Sequence, residues 1–259
     1  SLKALGVKEG DEVITTPLTF VSTVHTIILS NAKPVLCDIN DDGNLGLNEI
    51  KKKITKNTKA LLIVNFGGNP CNVEEIYKFC KKKNIFLIQD CAHSFGSYYK
   101  NKSLSKYSDV SCYSFYPTKN ITTIEGGMIA TNNIKLYKFS KLFINNGIDK
   151  NYSQRKSNKK FWDYDVVSLG QKMHMTNIQA ILGIEQIKKF SQMQQKRKII
   201  FFKYKNKIKN NKLNFLFNEN KDKELSYHLA IIQTKLPKDR DKLLEYLKKF
   251  NIFCSVHYK

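Results

Sequence analysis

The sequence predicts an α/β protein: a mostly parallel open sheet covered by helices on both faces, followed by a smaller, incomplete α+β unit. Three observations predict it. Short apolar runs alternate with helix-period segments over the first two-thirds of the chain, the pattern of right-handed βαβ crossovers. The run Ala60-Leu61-Leu62-Ile63-Val64 is continuously apolar, as a strand buried on both sheet faces must be. The size of the chain, 259 residues with 41% hydrophobic and 25% charged, allows one large domain and part of a second. We place the large domain at 1–188 and a connecting helix with a partial small domain at 189–259.

Taken in order, 12–15 reads as a strand, 20–29 as a helix and 34–37 as a second strand. A turn follows at Asn40-Asp41-Asp42-Gly43. After the strand at 59–65 comes an amphipathic helix with Asn72 as N-cap, Glu75 three positions on, and a buried stripe of Val73, Ile76, Tyr77 and Cys80. The next strand, 85–88, ends on Gln89-Asp90. Strands at 110–115 and 127–131 are separated by an irregular polar loop, 116–125. A helix at 134–143 precedes a polar stretch over 145–170, and two helices are expected at 176–187 and 193–209. The remainder reads as a strand over 229–234, a helix over 239–250 and a strand over 252–256.

Several function classes are excluded by composition and spacing. The formal charge of +22 raises a nucleic-acid hypothesis. However, the lysines run from Lys3 to Lys259, mostly on polar helix faces, no recognition module accompanies them, and Asn and Ile are abundant alongside them. The charge is therefore read as compositional bias, with no nucleic-acid partner. No apolar run reaches the ~18 residues of a membrane helix, and the mean hydropathy is −0.42. There is no Rossmann glycine fingerprint and no P-loop. The six cysteines show no CxxC pair and no metal-finger spacing, so no metal is expected. Free, mostly buried thiols point to a reducing cytoplasm. The chain opens without a leader and stops directly after a strand-like run, so it is expected to be part of a longer protein.

In open α/β sheets ligands bind outside the carboxyl ends of the strands. Asp90, Ser114 and Lys119 fall there. One acid, one hydroxyl and one lysine at strand ends suit pyridoxal phosphate (PLP). The lysine supplies a Schiff-base amine, promoted by desolvation, the carboxylate keeps the pyridine nitrogen protonated, and the hydroxyl with backbone amides receives the phosphate. Taken singly, each residue also has an ordinary structural explanation, as a turn acid, a surface lysine or a strand serine. His93 alone would read as a partly buried histidine, and Cys91 as core.

The whole-segment pattern is more specific. Gly10-Asp11-Glu12-Val13-Ile14-Thr15-Thr16-Pro17, Thr19-Phe20-Val21-Ser22-Thr23 and Ala32-Lys33-Pro34-Val35 resemble the opening of the DegT/DnrJ/StrS family of PLP-dependent nucleotide-sugar aminotransferases. The resemblance continues through Gly67-Gly68-Asn69-Pro70-Cys71 and Gln89-Asp90-Cys91-Ala92-His93-Ser94-Phe95-Gly96. It then covers Ser114-Phe115-Tyr116-Pro117-Thr118-Lys119-Asn120, Glu125-Gly126-Gly127-Met128 and Met175-Thr176-Asn177-Ile178-Gln179-Ala180, so that about residues 4–200 are matched.

The resemblance implies a fold-type I PLP-dependent transferase. It implies that Lys119 is the catalytic Schiff-base lysine, that Asp90 pairs with the pyridine nitrogen, and that His93 lies near the cofactor ring. Ser114 would contact the phosphate and Phe20 would stack on the pyridine face, its alternative being a core aromatic of the helix. His257 and Tyr258 resemble a family segment near the sugar pocket. The family's Gly-Tyr-Asn-Tyr-Arg-Met reads here Gly170-Gln171-Lys172-Met173-His174-Met175, which puts Lys172 where an Asn reaches the neighbouring subunit's phosphate and so implies a homodimer. The family's Gly-Thr/Ser phosphate-binding turn would lie upstream of Ser1. The implied reaction moves an amino group, from glutamate, to a nucleotide-linked keto-deoxy sugar. The Glu125-Gly126-Gly127 form favours C4 over C3, and the product would serve cell-surface polysaccharide or glycan biosynthesis. The alternative is a non-catalytic, regulatory member of the same family.

Overall fold

A computed structural model of the chain describes residues 1–150, 162–217 and 219–258. Strand β1 (Glu12–Thr15) leads into helix α1 (Val21–Ile28), strand β2 (Lys33–Leu36) and helix α2 (Leu47–Lys53). Strand β3 (Thr58–Val64), helix α3 (Val73–Lys83) and strand β4 (Phe86–Asp90) follow. A short hairpin, β5 (Tyr98–Tyr99) and β6 (Lys102–Ser103), precedes β7 (Val110–Ser114), β8 (Gly127–Ala130) and helix α4 (Ile134–Phe143). The chain continues with helix α5 (Asn177–Lys207), strands β9 (Leu213–Phe215), β10 (Lys223–Glu224) and β11 (Ile232–Thr234), and helix α6 (Pro237–Lys248).

The expected sheet is present, six-stranded in the order β2-β1-β3-β4-β7-β8. The first five strands pair in parallel and β8 closes the edge antiparallel to β7. Alternation along the strands divides two cores. Ile14, Leu61, Ile63 and Leu87 face α2 and α3 with Ile50, Val73, Ile76 and Cys80. Val13, Ala60, Leu62, Ile88 and Val110 face α1 and α4 with Ile27 and Leu136. Both faces are dry, which explains the unbroken apolar run of β3, since each such side chain contributes about 1.5–3 kcal/mol by leaving water. A third cluster, Phe66, Phe201, Leu216, Phe217, Leu225 and Tyr227, ties α5 and the later segments to the carboxyl end of β3.

Four local expectations are corrected. Asn72 makes no side-chain cap to α3, and Tyr77 is only partly buried beside Val73, Ile76 and Cys80. The two helices expected at 176–187 and 193–209 are one 31-residue helix, because no Gly or Pro after Gly183 interrupts it. It starts in a capping box between Thr176 and Gln179. The residues at 252–256 form no strand: Ile252 and Phe253 are exposed, and among the described residues no neighbouring strand offers the backbone partners a strand requires. The strand read at 229–234 is confined to Ile232–Thr234, paired antiparallel with β9, while Leu229 donates its amide to Gly67. The polar stretch over 145–170 lies partly outside the described residues. All six cysteines are free; Cys37, Cys71, Cys80 and Cys91 are buried, Cys112 is half-buried and Cys254 is exposed. Among the described residues no cluster of His, Cys, Asp and Glu could hold a metal, and no helix is long and apolar enough to cross a membrane.

Candidate active site

Parallel register brings the carboxyl ends of β3, β4 and β7 together, with Val64 beside Asp90 and Asp90 beside Cys112. Asp90 is the last residue of its strand, and both its oxygens are engaged. Ala92 donates its amide to Oδ1 at 3.0 Å, and Thr23 of α1 donates its hydroxyl to Oδ2 at 2.9 Å. The carboxylate is thus fixed from its own turn and from the first helix. Phe20 is the residue before that helix, in an extended conformation (φ −69°, ψ 142°), with its side chain 59% exposed. It is therefore not a core aromatic of α1 but an open ring at the helix entrance.

Lys119 sits in the turn after β7, its amide donating to the Tyr116 carbonyl at 2.9 Å. Burial holds its amine below the ordinary lysine range, and the Asp90 carboxylate acts in the opposite sense. The desolvation wins, so the amine gives up its proton more readily than a surface lysine. The next residue, Asn120, is buried and donates to the Ser226 carbonyl at 2.7 Å.

His93 is buried (7% exposed). Its Nδ1 accepts the Gly67 amide at 3.3 Å, and its Nε2 lies 3.4 Å from the Tyr258 hydroxyl. Burial, followed by His228, Lys119 and His257, pushes its pKa down to about 2, so the ring is neutral. With Nδ1 accepting, the ring proton sits on Nε2 and points at the Tyr258 oxygen. Burial, opposed by no cation and reinforced by the Asp90 charge, pushes the Tyr258 phenol up to about 12. It keeps its proton and, accepting from His93, can donate onward. Its ring lies 6.0 Å from Phe66 and 6.5 Å from Phe20. His257 is 6.4 Å from the His93 ring, its pKa lowered by burial and then by Lys119.

The structure thus joins Asp90, Lys119, His93, His257, Tyr258 and Phe20 in one neighbourhood. Ser114 ends β7 opposite Gly127, and its hydroxyl accepts the Tyr116 amide at 3.4 Å. Lys172 is exposed on a bridge to Asn145. Neither is linked to the other six by a hydrogen bond, ion pair or ring contact among the described residues. The sequence reading missed His228, whose ring lies 4.5 Å from that of His93, and Thr23, which holds Asp90. The Thr19-Phe20-Val21-Ser22-Thr23 segment carried a faint signal for Thr23, a hydroxyl in the first turn of α1; nothing local marked His228.

A sequence profile for the DegT/DnrJ/EryC1/StrS aminotransferase family matches residues 1–259. The Bacillus subtilis spore coat polysaccharide biosynthesis protein SpsC is 35% identical, over 100% of this chain and 68% of its own length. A UDP-4-amino-4,6-dideoxy-N-acetyl-beta-L-altrosamine transaminase of Campylobacter jejuni is 35% identical, over 99% of this chain and 67% of its own. Among solved structures, the Streptococcus pneumoniae candidate sugar aminotransferase Spr1654 in its PMP-form superposes with a TM-score of 0.92 at 28% identity, over 100% of this chain and 70% of its own. The chain therefore spans about two-thirds of the length of these relatives.

Proposed function

The chain belongs to the DegT/DnrJ/EryC1/StrS aminotransferase family, whose members are PLP-dependent sugar aminotransferases, and from that premise we propose that it transfers an amino group from glutamate to C4 of a nucleotide-linked keto-deoxy sugar, for polysaccharide or glycan synthesis. The observation that carries the catalytic part is the half-buried Lys119 amine, held below its ordinary pKa, close enough to Asp90 to feel its charge at the carboxyl end of the sheet. Position C4 is supported by the Glu125-Gly126-Gly127 segment and by the relative whose name specifies a 4-amino sugar.

The donor set fits PLP. Lys119 offers a desolvated amine, and Asp90 offers a carboxylate fixed by two donors, able to pair with a protonated ring nitrogen. The exposed Phe20 offers an aromatic face, and Ser114 with the turn amides offers hydrogen bonds for a phosphate. When bound, the group supplies a carbonyl for amines and an electron-withdrawing ring.

The rest of the chemistry falls to the protein. Lys119 Nζ would take and return the proton at the reacting carbon, its burial making it a readier proton carrier than a surface lysine. Asp90 would stabilise a positive charge on the ring nitrogen of the bound group. Tyr258, kept protonated and ordered by His93, donates its hydroxyl to a sugar oxygen, with His257 beside it. The neutral His93 adds no charge to the cavity. A homodimer completes the site in this reading. Ile178, Ile181, Ile184 and Ile187 of α5 are 77, 63, 54 and 58% exposed and Leu169 84%, an apolar surface that suits a second copy. Lys172 then reaches the neighbouring phosphate. Six free cysteines are compatible with a cytoplasmic setting.

Incubating the PLP-loaded protein with glutamate and paired 4-keto and 3-keto nucleotide sugars tests the proposal. The expected result is 2-oxoglutarate and a C4-aminated product. Amination at C3 alone overturns the regiochemistry, and no transfer with either sugar favours the non-catalytic alternative.

A further inference from the structure

The segment Leu225–Leu229 is threaded between three parts of the site. Ser226 donates its amide to the Gly68 carbonyl at 3.2 Å and its hydroxyl to the His93 carbonyl at 2.7 Å. Leu229 donates to the Gly67 carbonyl at 3.2 Å, and the Ser226 carbonyl receives the Asn120 amide at 2.7 Å. Gly68, at φ +95°, lies so close that a Cβ there would run into the Ser226 hydroxyl and the His93 carbonyl. Within this segment His228 faces two ways. Its Nδ1 is 2.9 Å from Asn120 Oδ1, and its ring lies 4.5 Å from that of His93, tilted by 31°.

We propose that His228 is a positioning residue for the reaction: by donating from Nδ1 to the Asn120 carboxamide and packing on the His93 ring, it fixes the turn that carries Lys119. The direction of the bond follows from inventory. The Asn120 nitrogen donates to the Ser226 carbonyl and, at 3.5 Å, to Gln194 Oε1, and its oxygen can only accept, so His228 Nδ1 must carry the proton. A neutral His228 has one ring proton, so its Nε2 is a bare acceptor. His93 is fixed the other way, with Nδ1 bare and Nε2 protonated. The two rings thus sit in opposite tautomers, each set by a different backbone-anchored partner. Burial, together with Lys119, Arg197 and His257, pushes the His228 pKa down to about 3, which keeps the ring neutral through the neutral range, and the Asn120 oxygen sets its tautomer. Gln194 of α5 backs the arrangement, donating to the Leu225 carbonyl at 3.1 Å. Asn120 is the residue next to Lys119, so any freedom at its carboxamide becomes freedom of the amine.

This inference rests on the assignment of Lys119 as the reacting amine, and its test separates the two. In the PLP-loaded protein, His228→Ala should lower kcat by about 10- to 100-fold, the cost of misplacing a reacting group by about 1 Å. It should change KM for the donor little and shift the pH midpoint of the visible absorbance band. His228→Gln, whose amide can still donate to Asn120 Oδ1, should recover kcat to within about threefold. The double variant His228→Ala with Asn120→Ala should be no worse than the worse single variant, since the two act as one unit. In the protein without PLP, imidazole nitrogen NMR should show His228 protonated at Nδ1. A bare Nδ1, a His228→Gln as poor as His228→Ala, or additive losses overturn the proposal. If instead Lys119→Ala retains a borohydride-reducible PLP adduct, the assignment of Lys119 fails, whatever His228 does.

Discussion

Thr23 donates its hydroxyl to Asp90 at 2.9 Å across 67 residues of sequence, and the hydroxyl of Thr19, in the turn that enters the helix, lies 2.7 Å behind it. Because Thr23 spends its proton on the carboxylate, Thr19 must donate to Thr23, giving a two-hydroxyl chain that ends on one oxygen of Asp90. Helix α1 therefore sets the orientation of the acid as firmly as its own strand does. Thr23→Val, which removes the donor and keeps the shape, should reduce kcat by about 10-fold with PLP still bound, in line with the loss of a hydrogen bond to a charged group. Steady-state kinetics at saturating PLP would show it, and an unchanged kcat would make Thr23 a packing residue only.

Asp90→Asn keeps the acceptor toward Ala92 and removes the charge. The ring nitrogen then loses its counter-charge, and turnover should fall by about 10²-fold or more, while absorbance titration still detects PLP binding. Near wild-type turnover would reduce Asp90 to a turn residue.

Lys119→Ala should abolish transfer, by at least about 10³-fold, and remove the borohydride-reducible adduct, because a single group would be lost as both nucleophile and proton carrier. Mass spectrometry after reduction is the check.

Acid should destabilise the protein through its buried histidines. His93 and His228 have pKa values pushed down to about 2 and about 3, against about 6.5 in the unfolded chain. A depressed value in the fold means that the unfolded state binds more protons. The stabilisation is thus complete above about pH 6.5 and drains away as pH falls toward 3, by at most about 1.4 kcal/mol per pH unit for each ring. Urea unfolding at pH 7 and pH 5 should show the loss, and His93→Gln should flatten it. An equal slope in the variant would exclude His93 as a source.

The oligomer can be checked by placing charge on the exposed isoleucines. Ile181→Glu with Ile184→Glu should convert a dimer to a monomer in sedimentation analysis. Helix stability should change little, since both side chains are more than half exposed. A dimer that survives the change is built on another face.

How much of this was legible in the sequence follows from where the restraints act. β3 and the apolar start of β4 were readable because strands buried on both faces are apolar there, and α3 because its stripe is local. Asp90, Lys119 and His93 stand in motifs whose order alone is informative. His228 and Ser226 were silent because their partners lie more than a hundred positions away: Asn120 is 108 residues from His228 and 106 from Ser226. The helix read from Phe20 starts one residue later, at Val21, and the 59% exposure of Phe20 removes the core-aromatic alternative. The failed strand at 252–256 shows the limit of propensity: Ile252, Phe253 and Val256 favour extended chain, yet without a neighbour's amides and carbonyls the preference stays unrealised. The unbroken α5 was signalled by Thr176 and Gln179 at its start, and the run of Lys188, Lys189, Ser191 and Gln192 disguised its middle as a gap.

That helix has a mechanical consequence. At 31 residues it is about 46 Å long, and it touches the site at several heights. Gln179 holds the Glu125 carbonyl at 2.8 Å, the Phe190 ring lies 5.1 Å from that of Phe95, Gln194 reaches the Leu225 carbonyl, and Phe201 enters the third cluster. One rod therefore keeps all these contacts in phase. An inserted residue near its midpoint would swing everything beyond it by about 100°, so that Phe201 could not meet Tyr227 while Gln179 still met Glu125. The helix works as a camshaft: its lobes are timed against one another, and a change in length at any point would mistime the segment that clamps the lysine turn.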